Sequence, residues 1–120
     1  MAGTVTTGAI LFTDMVGSTE LRSRLGDTRA DELRRHHDDL LARAVADHGG
    51  EVLRWTGDGI KAAFPSASDA VAAAVAVQRA VAAHNADPAA VAPFQVRIGL
   101  AAGEITVDAG DHHGMAVIEA

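Results

Sequence analysis

The chain has 120 residues and a mass of 12.3 kDa, which suits one compact domain and leaves no room for a second. Apolar residues make up 48%, but 26 residues are alanine and four are aromatic, so a core must use small side chains and close backbone approach, and disorder is excluded. A net charge of −6 with no Lys/Arg cluster argues against nucleic acid, and the lack of cysteine rules out disulfides and thiolate sites.

No apolar run approaches the roughly 20 residues of a membrane span, and Met1–Thr4 has no basic region leading into an apolar stretch. The expectation is a cytoplasmic protein without membrane insertion. Gly8 to Thr13 is a continuous apolar run closed by Asp14 and followed by Gly17-Ser18-Thr19, which predicts a central strand running into a loop. Ser18 or Thr19 can cap a short helix through Leu25, which Gly26-Asp27-Thr28 breaks and restarts. From Ala30 to His48 the positions Leu33, His37, Leu40, Leu41, Ala44, Val45 and His48 recur at helical spacing, and Gly49-Gly50 ends that helix.

Glu51–Trp55 and Ile60–Phe64 are strand-like runs flanking Thr56-Gly57-Asp58-Gly59, where Asp-Gly is expected to supply the left-handed backbone of a tight hairpin. Pro65 stops the second run and Ser66 or Ser68 caps the next helix. Over Asp69–His84, that helix carries Val71, Ala74, Val75, Gln78, Val81 and Ala82 on the stripe expected to pack. After a linker bracketed by Pro88 and Pro93, Phe94, Val96, Ile98 and Leu100 alternate at the strand period. A turn at Gly103-Glu104 then leads to a fifth strand, Ile105–Val107. Met115–Ala120 reads as the start of an element that is not finished, so residues 1–120 are expected to form a single domain lacking its last elements.

This order predicts an α+β, ferredoxin-like βαββαβ sandwich, in which the third strand lies antiparallel beside the first. The end of the first strand, with Asp14, and the start of the third, with Asp58, then meet at one edge of the sheet. Two carboxylates converging there suit Mg²⁺, which takes one or two protein carboxylates and leaves its other positions to water and phosphate oxygens. Between them in sequence, Met15-Val16-Gly17-Ser18-Thr19 leads into a helix whose first N–H groups favour anionic oxygens. Each acid read alone is a turn residue or a cap. Likewise His112-His113 reads as solvated, His36 and His37 as lying at the polar and packed borders of their helix, and Trp55 as packing more readily than as a base platform. Neither a dinucleotide fingerprint nor a P-loop is present.

Several of these segments, in order and spacing, resemble the class III adenylate/guanylate cyclase catalytic domain. They are Ile10 to Thr19, the helix ending His48-Gly49-Gly50, Thr56-Gly57-Asp58-Gly59, Val96-Arg97-Ile98-Gly99-Leu100 with Gly103-Glu104, and Gly114-Met115-Ala116-Val117. The resemblance implies that Asp14 and Asp58 are the catalytic aspartates, holding two Mg²⁺ or Mn²⁺ ions. It implies that Met15, Val16, Gly17, Ser18 and Thr19 wrap the triphosphate of ATP, or alternatively GTP, and that sites form in an antiparallel homodimer. The family's base-selecting lysine corresponds to Arg54, its second base-selecting position to Asp111, and its ribose-orienting asparagine to Ile118. The α-phosphate arginine would fall just past Ala120. The implied function is a nucleotidyl cyclase converting ATP to cyclic AMP and pyrophosphate with weak activity, because Ile118, in place of the asparagine, offers no side-chain hydrogen bond and Arg54 replaces the lysine. A degenerate nucleotide-binding or regulatory domain is the second hypothesis, and a structural ferredoxin-like module the plainest. A diguanylate-cyclase-like reading lacks its Gly-Gly-Asp/Glu-Glu-Phe hairpin.

Overall fold

The computed structural model describes residues 4–107 and 117–119. In chain order the elements are β1 (Thr4–Met15), α1 (Ser18–Leu25), α2 (Asp27–Asp47), β2 (Glu51–Trp55), β3 (Ile60–Phe64), α3 (Ala67–Ala86), β4 (Val96–Val107) and β5 (Val117–Glu119). The strands form one sheet in the order β2-β3-β1-β4-β5, and every pairing is antiparallel. This is the expected α+β arrangement, with β3 beside β1. Among the described residues no helix is long and apolar enough to cross a membrane.

Alternation along β1 sends Ala9, Leu11, Thr13 and Met15 toward the helices, where all four are buried. They join Ala62 and Phe64 of β3, Leu33, Leu41 and Val45 of α2, and Ala70, Ala73 and Val77 of α3 in one core, apart from Thr13. Removing a fully buried leucine such as Leu41 from so tight a core costs about 2–5 kcal/mol. The C-terminus of α2 closes as the double glycine requires. Gly49 takes φ 73°, and its N–H donates to Ala46 O at 3.3 Å, while Gly50 N–H donates to Val45 O at 2.9 Å.

Three local expectations fail. The buried stripe of α3 is Ala70, Ala73, Val77 and Val81, while Val71 and Val75 face outward. Alanine covers so much of this helix that size and not hydropathy chooses the inner face, and the smallest side chains allow the closest approach to the sheet. Gly103-Glu104 does not turn the chain: β4 runs straight through, pairing with β1 from Met15↔Val96 to Thr4↔Val107 and setting Gly103 opposite Gly8. The long ladder satisfies the backbone and overrides a local turn preference. The fifth strand is therefore Val117–Glu119. Finally, α1 starts without a hydroxyl cap, since its N-cap is Gly17 in the left-handed conformation, φ 61°. Ser66 does cap α3, accepting from Asp69 N–H at 3.1 Å.

Candidate active site

The Asp58 turn joins β2 to β3 but is not built as the Asp-Gly pair suggests. Among the described residues positive φ occurs only at Gly17, Gly26, Gly49 and Gly103, so neither Gly57 nor Gly59 supplies a left-handed step. Gly59 is needed instead for close approach: an added Cβ would lie 1.7 Å from Thr13 O and 3.0 Å from Asp14 Cα. That contact lets Asp58 O accept from Met15 N–H at 2.8 Å and Ile60 N–H donate to Thr13 Oγ1 at 3.1 Å. The turn carrying one acid is thus stitched to the end of the strand carrying the other, 44 positions away in sequence.

The two carboxylates have different partners. Asp14 faces Arg97 across the β1–β4 ladder and accepts from its Nη2 at 2.8 Å and its Nε at 3.1 Å. The Arg97 hydrogen bonds, aided by its charge and opposed by slight desolvation, hold the Asp14 carboxyl below the ordinary aspartate value. Asp58 accepts a long hydrogen bond, 3.4 Å, from Ser18 Oγ. It lines a cavity of about 520 Å³ shared with Met15, Ser18, Thr19, Arg22 and Arg34. Asp14 lines a shallower recess with Phe12, Thr13, Arg97 and Gly99. The two acids thus line different recesses, on segments tied together by the Met15–Asp58 backbone hydrogen bond.

The loop between the acids turns inward at Met15, which is buried, and outward at Val16, whose N–H donates to Gln95 O at 2.9 Å. Gly17 then opens α1, with Leu21 N–H donating to Gly17 O at 2.9 Å. The amides of Ser18, Thr19 and Glu20 precede the first intrahelical bond and form the electropositive end of the helix. Thr19 and Arg54 are exposed, Arg54 on the outer strand β2 opposite Lys61. Trp55 is 45% exposed, against the expectation that it packs. His37 is fully buried and His36 exposed. Asp111, His112 and His113 lie outside the described residues, as does the side chain of Ile118.

Arg22, Arg34 and Arg97 are charged groups of this region that sequence reasoning did not single out for a role. Arg97 sits between apolar β4 positions, and only the strand register reveals that it faces Asp14. Arg34 announces itself as an i,i+4 partner of Asp38, but not as a partner of the hairpin.

No protein-family model matches the chain. The "Putative adenylate cyclase 3" of Rhizobium meliloti (strain 1021) is 36% identical over 106 residues, covering 88% of this chain and 18% of that protein. The solved structure of the guanylyl cyclase Cya2 superposes with a TM-score of 0.76 at 28% identity, over 89% of this chain and 59% of that one. An adenylate/guanylate cyclase/hydrolase from Silicibacter pomeroyi gives a TM-score of 0.73 at 30% identity, over 91% and 63%. The chain is a cyclase homology domain with the class III nucleotidyl cyclase fold. This cyclase homology domain spans less than a fifth of the curated relative described above, and its structural neighbours bear both adenylyl and guanylyl names.

The donor chemistry of the cyclase homology domain fits a hard divalent cation. Among the described residues no three His, Asp or Glu side chains form a metal cage. A pair of carboxylates on hydrogen-bonded segments suits Mg²⁺ or Mn²⁺ accompanied by phosphate oxygens and water. Arg97 hydrogen-bonds both carboxylate oxygens of Asp14, whereas Asp58 holds one long hydroxyl contact.

Proposed function

We propose that this domain is a nucleotidyl cyclase module that converts ATP to cyclic AMP and pyrophosphate, with two Mg²⁺ or Mn²⁺ ions held by Asp14 and Asp58. The observation that supports this reading is the 2.8 Å bond from Met15 N–H to Asp58 O, which ties the two acid-bearing segments together beside the start of α1. Asp14 and Asp58 would hold these ions, which would supply a lowered pKa for the attacking hydroxyl and neutralisation of charge on the leaving phosphate. The ribose 3′-oxygen forms a bond to the α-phosphorus, the bond from that phosphorus to the bridging oxygen breaks, and the hydroxyl proton passes to solvent. Residues 15–19 bind the polyphosphate, through the free amides at the start of α1 and the Ser18 and Thr19 hydroxyls.

Arg54 and Asp111 contact the base in this reading. Arg54 brings a planar fork where the family's lysine brings a point charge, so GTP is the alternative substrate. Ile118, standing where an asparagine would orient the ribose, makes turnover slow. The working unit is an antiparallel homodimer, consistent with the exposure of Phe12 on the open face of the sheet beside Asp14.

The test is incubation of the protein with Mn²⁺ or Mg²⁺ and ATP or GTP, alongside Asp14→Ala and Asp58→Ala. Cyclic product from the parent, lost in both variants, is expected. Product that persists without Asp14 refutes the assignment.

A further inference from the structure

The turn that carries Asp58 has one internal backbone hydrogen bond among the described residues, Thr56 N–H to Gly59 O at 2.9 Å, and no left-handed residue to set its shape. Its shape is imposed from outside. Arg34, on α2, donates from Nη2 to Thr56 O at 3.0 Å and from Nη1 to Gly57 O, the two carbonyls that immediately precede Asp58. Its Nε donates to Asp38 Oδ1 at 2.8 Å. The same carboxylate oxygen is held by Nδ1 of His37, also at 2.8 Å, and His37 has no exposed surface. On the far side, Asp58 O is held by Met15 N–H. A guanidinium can make these three bonds at once because its donors form a rigid planar fork, which an ammonium lacks.

We propose that Arg34 is a positioning residue for Asp58: through the Thr56 and Gly57 carbonyls, and backed by Asp38 and His37, it fixes the turn that aims the Asp58 carboxylate at its cation. The role rests on the reading of Asp58 as a metal ligand. Groups that orient a ligand from behind typically change metal affinity by about 10–100-fold when removed.

The experiment compares the parent, Arg34→Ala, Arg34→Lys, Asp58→Asn and the Arg34→Ala/Asp58→Asn double variant, each first shown to unfold cooperatively in urea. Amide resonances and hydrogen exchange of residues 56–59 are recorded without metal. Binding of Mn²⁺ is then measured with 3′-deoxy-ATP, which cannot cyclise. Arg34→Ala is expected to shift and deprotect the turn amides and to weaken Mn²⁺ binding about tenfold or more, with Arg34→Lys recovering only part. In the Asp58→Asn background the same substitution is expected to have no further effect on Mn²⁺. Should Arg34→Ala itself fail to fold, the comparison rests on Arg34→Lys. Unshifted turn amides, or an equal loss of affinity with and without Asp58, would overturn the proposal. A parent protein that binds no Mn²⁺ defeats the reading of Asp58 as a metal ligand and with it the aim at a cation, whereas, with a parent that binds Mn²⁺, shifted turn amides but unchanged affinity in Arg34→Ala overturn the positioning role alone.

Discussion

Replacing Gly59 by alanine tests whether close backbone approach, and not turn conformation, holds the Asp58 turn in place. The added Cβ would sit 1.7 Å from Thr13 O and 2.5 Å from Thr13 C, both backbone atoms of the central strand. β1 is paired with β3 on one side and β4 on the other, so the turn must retreat by more than an ångström. That retreat breaks the Met15–Asp58 and Ile60–Thr13 hydrogen bonds. Overpacking costs about 1–3 kcal/mol and each lost hydrogen bond about 1 kcal/mol, giving a destabilisation of roughly 3–5 kcal/mol. For a domain of this length that lowers Tm by roughly 12–20 °C. Gly57 is the control: its added Cβ meets nothing within 4 Å and its φ is not left-handed, so Gly57→Ala should lie within about 0.5 kcal/mol of the parent or stabilise slightly. Urea denaturation of both variants is the assay. A Gly59→Ala protein within 1 kcal/mol of the parent, or a Gly57→Ala protein equally damaged, refutes the reasoning.

Burial lowers the pKa of His37 against the opposing pull of Asp38, because a second proton would sit on Nε2, a buried atom with no hydrogen-bond partner. The unfolded chain then binds that proton first, so stability should be full above the unfolded value of about 6.5 and fall as pH drops below it toward the folded value. Urea midpoints for His37→Asn should show a flatter slope between pH 7 and pH 5, and an unchanged slope counts against this account. For Asp14 the depressed carboxyl contributes stability above the unfolded value of about 3.9 that is lost as pH falls through the folded one. Carboxyl NMR titration of Arg97→Ala should return Asp14 to the ordinary range, with little change in urea midpoint at pH 7 because both side chains are substantially exposed. Phe12→Glu, on the open face of the sheet, should reduce self-association in sedimentation and cyclic product together while leaving the monomer folded. Undiminished dimer would remove that face from the interface.

The parts of the fold that were legible in the sequence are those where side-chain chemistry varies sharply with position. The run Ile10-Leu11-Phe12 and the leucines of α2 sit among charges, so their strand and helix, and most of the α2 inner face, follow from periodicity. In α3 every position from Ala70 to Val77 is alanine or valine, so periodicity has little to contrast there and the inward face differs from the expected stripe. The spacing of Asp14 and Asp58 indicated that their segments meet, because a right-handed crossover leaves the third strand only one place beside the first. What surrounds each acid was hidden. Arg97 faces Asp14 through a register that only the twelve-residue pairing of β1 with β4 defines. Arg34 reaches carbonyl oxygens, which no pattern of side chains advertises.

Those two arginines bear on how a chain of net charge −6 accommodates a polyanion. A guanidinium stands at each acid-bearing segment. Arg97 grips Asp14 directly and also feels the charge of Asp58, and Arg34 grips the backbone just before Asp58. Arg97 thus offsets the charge of Asp14 and part of that of Asp58, which favours bringing the two acid-bearing segments together. In the proposed reading, a bare cation would compete at Asp14 with a guanidinium that hydrogen-bonds both carboxylate oxygens. A cation arriving with a polyphosphate would offer that guanidinium an anion in exchange, so in the proposed reading metal and nucleotide should bind Asp14 together more readily than metal alone.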